Sequence, residues 1–366
     1  MSKYINLAVA ISLILLSCQA QSQEKKRITD SAGKAALKPI LITEETRFDT
    51  DDPAIWINSE DVSKSLIIGT DKQTDGALYV YNLHGKIIAD KVVTGLKRPN
   101  NVDVAYGLKL NNTPLDIAVV TERESGRIRV FTLPDMKAID NGGIEVFVGE
   151  SSRKPMGIAL YQRPSDNEIF AIISRKEGPE TNYLWQYHLQ DAGNGTVKAQ
   201  LIRKFGKFSG RKEIESIAVD DALGYVYYSD EGAGIRKYYA DPAKNDNREL
   251  AFFGSGDFKK DMEGISVYAT TDATGYILIS NQQSNSFMVY KREGDAKNPH
   301  SHTLIAEIPM STLASDGSEV TNINLGPKFP KGLFVAMSEG KVFHYYDWRD
   351  IDAIIKRVLK TQVAHN

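Results

Sequence analysis

Residues 215–239 read ESIAVDDALGYVYYSDEGAGIRKYY. An acid, Glu215, opens a short apolar run at 217–219. Gly224 then turns the chain into an aromatic run that ends in Ser229-Asp230-Glu231. A second glycine-rich turn leads into another aromatic run, 234–239. Runs rich in β-branched and aromatic residues, broken by Gly, Asp and Asn, are strands separated by turns. Two such runs joined by a short polar turn form a hairpin.

The same grammar occurs six times. Aligned on the second strand, the hairpins are SLIIGTDK with ALYVYNL, LDIAVVTER with RIRVFTL, EIFAIISRK with YLWQYHL, GYVYYSDE with GIRKYY, GYILISNQ with SFMVYKR, and GLFVAMSE with KVFHYY. Each is preceded by one more short run: DPAIWI, NVDVAY, MGIALY, ESIAVD, EGISVY and EVTNIN. These copies start at residues 52, 101, 156, 215, 263 and 319. A unit of this size with three or four short strands is the signature of a β-propeller. One small sheet cannot cover both of its faces, whereas sheets packed radially cover each other and leave short edges. The expected fold is therefore all-β, a six-bladed propeller. Residues 39–48 (PILITEETRF) are the candidate for the strand that closes the ring. Trp348, Ile351, Ile354, Ile355 and Val358 recur near helical spacing, which predicts a short C-terminal helix over 347–360.

The chain has 366 residues and a formal net charge of -2, so nothing global points to nucleic acid. Residues 1–18 read as a lipoprotein signal peptide. Lys3 supplies a basic start, and the apolar stretch 5–16 is too short to span a bilayer. Leu15-Leu16-Ser17-Cys18 resembles a lipobox, with Cys18 as the lipidated residue. Cys18 is the only cysteine, so the folded domain has no disulfide and no thiolate ligand or nucleophile. Residues 19–38 read as a flexible tether and 39–366 as the propeller domain. The expected setting is the cell envelope, as an outer-membrane lipoprotein held by its lipid, with a monomeric domain.

Equivalent positions of six blades form rings at one mouth of the central channel. The residues opening the first strands are Asp52, Asn101, Met156, Glu215, Glu263 and Glu319. Those ending the second strands are Lys72, Arg123, Lys176, Glu231, Gln282 and Glu339. The signs segregate: cations on blades 1 to 3, acids on blades 4 to 6. Asp51, Asp261 and Asp316 lie close by in sequence. Carboxylates packed together repel, and some protonate unless a cation intervenes. Oxygen ligands without His or Cys suit Ca²⁺, which takes about 6–8 of them. The six His residues are scattered and show no zinc spacing. Calcium ions beside Lys72, Arg123 and Lys176 make a site for a polyanion such as a phosphate ester. No Ser, Cys or His is placed as a nucleophile, which favours direct attack by water.

DDPAIWI, GTDKQTDGALYVYNLHGK, NNVDVAYG, RKEG, EIESIAVDDALGYVYYSDEG, DMEGIS and SDGSEV, in this order, resemble the β-propeller phytases, from about Phe48 to Tyr346. The resemblance implies a calcium-dependent phosphomonoesterase that releases phosphate stepwise from phytate. It assigns Asp52, Glu215, Glu231, Asp261, Glu263 and Asp316 to calcium; the ring positions add Asp51 and Glu319, and the motif Asp103, as further candidate ligands. It assigns Lys72, Arg123 and Lys176 to phosphate, with Glu215 and Glu231 also in the catalytic set. Asn101 and Asp103 match its Asn-Asn-Val-Asp motif, and Gln282 a polar residue near the acids. The chain departs from the family at Gln73, where a second Lys is common, and at Met156, where a Tyr is common. Arg98 is the candidate to compensate in substrate binding. Two alternatives stay open: a calcium propeller that hydrolyses lactones or other esters, and a non-catalytic calcium-binding scaffold.

Overall fold

The computed structural model describes residues 36–364. The expected signal peptide, Cys18 and nearly all of the tether lie outside the described residues. The described residues form six four-stranded antiparallel sheets and a C-terminal helix. Strand β1 (Leu41–Ile42) comes first. Blade 1 is β2 (Thr50–Trp56), β3 (Leu66–Asp71), β4 (Gly76–Tyr81) and β5 (Val93–Leu96). Blade 2 is β6 (Pro99–Leu110), β7 (Thr113–Glu122), β8 (Arg127–Leu133) and β9 (Ile144–Glu145). Blade 3 is β10 (Pro155–Gln162), β11 (Ile169–Arg175), β12 (Thr181–Asp191) and β13 (Val197–Lys207). Blade 4 is β14 (Ile217–Asp220), β15 (Tyr225–Asp230), β16 (Gly234–Tyr239) and β17 (Ala251–Phe253). Blade 5 is β18 (Met262–Ala269), β19 (Gly275–Asn281), β20 (Ser286–Lys291) and β21 (Leu304–Pro309). Blade 6 is β22 (Ser318–Thr321), β23 (Leu333–Ser338) and β24 (Val342–Asp347), completed by β1.

The six-bladed expectation is thus met, and the core shows why the arrangement holds. The buried apolar residues fall into six clusters, one at each junction between blades. Between blades 2 and 3, for example, Val119, Ile128, Leu160, Ile173 and Trp185 interlock. A fully buried side chain of this kind contributes roughly 1.5–3 kcal/mol.

Closure falls within the expected segment. Leu41 and Ile42 pair with β24, opposite Tyr345 and His344, and the N–H groups of Ile40, Thr43 and Thr46 donate to Tyr345, Phe343 and Lys341 of the same hairpin. The chain then crosses to blade 1, where Glu44 N–H donates to Gly85 O (2.9 Å) and its carboxylate takes Lys86 (2.9 Å). Upstream, Leu37 bridges to Met310. The closing segment therefore fastens blade 6 to blades 1 and 5. Helix α1 (Trp348–Ala364) packs on blades 5 and 6 through Trp348, Ile351 and Ile355, and Trp348 stacks on Tyr268 at 3.5 Å.

Two buried histidines make the scaffold acid-sensitive. His302 shares its Nε2 with the buried Lys237 ammonium (3.2 Å) and its Nδ1 with Lys291 O (2.7 Å). Burial first, and Lys237 after it, pull its pKa down to about 4 against the backbone bond to Lys291. His344, facing the closing strand, is lowered to about 4 by burial. The unfolded chain binds these protons near pH 6.5. The histidine contribution to stability should therefore fall as pH drops below 6.5, and that loss is complete below about 4. Each histidine contributes on the order of 2 kcal/mol at pH 5. Thermal melts of the wild type and His302→Gln from pH 7 to 4 isolate this contribution, because the carboxylates common to both cancel: the wild type should lose stability relative to the variant as pH falls. Equal slopes in the two would rule out the assignment.

Candidate active site

Strand register decides which residues meet at the mouth. Gly69, Val120, Ile173, Tyr228, Ile279 and Ala336 each lie three residues before the end-of-strand ring Lys72, Arg123, Lys176, Glu231, Gln282 and Glu339. They pair with Pro53, Val102, Ile158, Ile217, Ile265 and Ser318 on the innermost strands. Two residues before each of those partners stand Asp51, Asn100, Met156, Glu215, Glu263 and Asp316. This is the ring that faces the cations. It corrects the sequence-based ring, which mixed three register positions: Asp52 and Asn101 are one residue too far along, and Glu319 three. β2, β6, β10 and β18 each carry a bulge near the start.

Glycines draw the ring tight. A Cβ at Gly157 would lie 1.7 Å from Glu215 O, and one at Gly317 would lie 2.5 Å from Asp51 O. The bare backbone lets the neighbouring blade press in and carry its acid to the axis.

The side chains then interlock. Lys72 Nζ pairs with Asp51 and lies 3.4 Å from Asp316 and 3.9 Å from Glu215. Arg123 donates to Asn100 Oδ1 and lies 3.8 Å from Glu215. Asn100 in turn donates to Glu215 Oε1. Lys176 pairs with Glu213. Gln282 donates to Glu263 (2.7 Å) and Asp316 (2.6 Å), and Gln283 donates to Asp261 (2.6 Å). Glu215 is thus the joint where the cation side and the acid side of the mouth touch.

The acid side fits a hard cation. Carboxylate oxygens of Glu213, Glu215 and Glu231 all lie within 4.8 Å of one another. Glu231 is fully buried, yet neither of its oxygens receives a hydrogen bond. Buried carboxylates are normally satisfied, so this pair of lone oxygens points to a ligand. Burial, then Glu215 and Glu213, push the Glu231 pKa up to about 8 against the pull of Lys212. Burial, then Asp316, push Glu263 up to about 11. Burial alone would lower the Lys72 ammonium, but Asp51, Glu215 and Asp316 hold it above its ordinary value. Burial would likewise raise Glu215, but Lys72 and Arg123 hold it below.

The other expected residues go elsewhere. Asp52, Asn101, Asp103 and Glu319 line the central channel with Asp221, around a cavity of about 140 Å³. Asp103 accepts from Leu160 N–H (2.7 Å), and Asp52 from Val102 N–H (3.1 Å). Arg98 takes a left-handed backbone and accepts Arg123 N–H at its carbonyl (3.1 Å), so it acts on the mouth through its main chain. Met156 is fully buried, and Glu339 is exposed. Arg236 and Arg349 pair with Asp230 and Asp347, apart from the cluster. Asn100, Glu213, Lys212 and Gln283 are members that the sequence reading missed. Glu213 stands two residues before Glu215, a spacing that would have flagged it in a turn.

The comparisons with known proteins agree with this geometry. A family model described as Phytase matches residues 3–348. The 3-phytase of Bacillus subtilis (strain 168) is 30% identical over 294 residues, covering 78% of this chain and 73% of that protein. Among solved structures, U3-55K and the WD40 repeats of RRP9 each align over 80% of this chain and 79% of theirs, at 9% identity and a TM-score of 0.47. Likenesses that distant add nothing to what the strand order shows. The family match, by contrast, runs through all six blades and includes every residue of the polarised mouth, so the chain belongs to the phytase family.

Proposed function

We propose that the protein is a phosphoric monoester hydrolase that releases phosphate stepwise from phytate and depends on Ca²⁺. One observation carries the reading: Glu215 joins an all-carboxylate cluster to two cations, Lys72 and Arg123, in a single mouth, with Lys176 held by the cluster's Glu213. Glu213, Glu215 and Glu231 would hold the ion, with Asp261, Glu263 and Asp316 close by. A bound divalent cation would supply neutralisation of the phosphate and a lowered pKa for water. The chain's own part is positioning. Arg123 offers a buried Nε–H with no partner, and Lys72 and Lys176 flank it as point charges for phosphate oxygens. Water attacks phosphorus in line, the bond to the inositol oxygen breaks, and one of the water's protons passes to that leaving oxygen while the other stays on the released phosphate. Asn100 holds Arg123 and Glu215 in place and so fixes both halves.

The test is phosphate release from phytate, assayed with calcium and with a chelator, beside thermal melts. Release in calcium only, with a melting temperature several degrees lower in chelator, is expected, because removing the ion leaves buried acids unpaired. No release in either condition would overturn the reading. Release of a lactone's acid instead would favour the ester-hydrolase alternative, and calcium stabilisation without turnover the scaffold.

We also propose lipidation at Cys18 and anchoring in the outer membrane, on the strength of the lipobox-like Leu15 to Cys18. Among the described residues no helix is long and apolar enough to cross a membrane. Labelled palmitate should be incorporated by the intact chain and not by Cys18→Ser.

A further inference from the structure

The loop joining β13 to β14 carries Lys212 one residue before Glu213 and three before Glu215. It is pinned on both sides of Lys212. Ser209 donates to Asp230 (2.7 Å), while Ile214 is fully buried and its carbonyl accepts from Ser174 Oγ (2.5 Å). Lys212 itself is held only by the acids of the mouth. Its side chain is 39% exposed, and its ammonium lies 2.6 Å from Asp261 and 3.5 Å from Glu231. It is the nearest cation to the Glu231 carboxylate, whose oxygens receive no hydrogen bond.

An ammonium in that place and a divalent ion on Glu231 exclude each other. Calcium binds carboxylate oxygen at about 2.3–2.6 Å, which would set it within a few ångströms of Lys212 Nζ. Two like charges so close, beside a buried carboxylate, repel strongly. Lys72 cannot be the group that yields, since it is only 15% exposed and faces three acids. Lysine's flexible stem lets an exposed ammonium swing into water instead.

We infer that Lys212 is a built-in competitor of the divalent cation, and that it sets the calcium concentration at which the mouth fills. The inference rests on the reading that these acids hold calcium. It adds a threshold: at low calcium the lysine neutralises Glu231 and Asp261 and keeps the apo mouth from repelling itself apart, and at high calcium it is displaced.

The test is calcium titration by calorimetry at fixed ionic strength, on the wild type, Lys212→Met, Lys212→Gln, Lys212→Arg and Lys260→Met. Lys260 is the control: it lies 3.8 Å from Asp261 but is 67% exposed. Lys212→Met and Lys212→Gln should bind calcium about tenfold more tightly. Lys212→Arg should stay within about threefold of the wild type, and Lys260→Met within about twofold, because an exposed pair contributes little. Unchanged or weaker binding in both neutral variants would overturn the competitor role. Equal tightening in Lys260→Met would reduce it to a general charge effect and overturn it too. A wild type that binds no calcium would overturn the calcium reading itself, a result distinct from either of these.

Discussion

Glu215→Gln should lower phosphate release from phytate by a factor of about 10²–10³, the scale on which one charge-stabilising group is lost from an active site. The substitution keeps the size and the hydrogen-bonding shape of the side chain. It removes the charge at the one place where both halves of the mouth meet. Lys72 at 3.9 Å and Arg123 at 3.8 Å lose a shared counterion, and the Glu213–Glu231 cluster loses a ligand. Asn100 could still reach the amide oxygen, so the local packing should survive. Melting curves separate the possible causes. A variant that folds normally in chelator, gains less than the wild type from calcium and has lost turnover confirms the joint role. Turnover kept within about threefold of the wild type would show that Glu215 is not part of the machinery.

Gly157→Ala should be nearly as damaging, though Gly157 bears no functional group. The added methyl would sit 1.7 Å from Glu215 O, far inside contact distance. Neither backbone can give way freely, since Gly157 N–H donates to Ser174 Oγ (2.9 Å), which itself donates to Ile214 O. Overpacking of this kind typically costs about 1–3 kcal/mol. The blade carrying Glu215 must move away from blade 3, which separates Glu215 from Arg123 and Lys72. We expect a lower melting temperature, together with a loss of turnover and of calcium affinity larger than the stability change alone would give. Alanine at Gly142, where nothing lies within 4 Å of an added Cβ, tests the strain of a positive φ without the collision. If Gly157→Ala behaves like Gly142→Ala, the close approach does not position the site.

Much of this molecule was legible in the chain. Six aromatic hairpins separated by glycine turns cannot cover their faces singly, so the pattern implies a ring of blades. The segregation of Lys72, Arg123 and Lys176 from Glu231 was legible too, because each stands immediately after a strand and strand ends are marked by composition. The inner ring was less legible. Asp51 and Asn100 each stand one residue before the position the sequence favoured, and the adjacent Asp52 and Asn101 have the same chemistry. Side chains alternate across a strand, so a shift of one residue exchanges the mouth for the channel wall. Loop members such as Lys212 and Glu213 were harder still, since they follow no strand period.

The sequence by itself determined the six-bladed scaffold, the cations that blades 1 to 3 offer just after their second strands, and the absence of thiol chemistry from the domain. It did so because period, polarity and composition are local properties. Only the tertiary structure decided which acids share one point in space. That choice rests on the pairing register of each blade's first two strands, on glycines that admit a neighbouring blade's backbone, and on the approach of Glu215 to Lys72 and Arg123. Each of those is a relation between distant segments, fixed by packing and not by any single stretch of the chain.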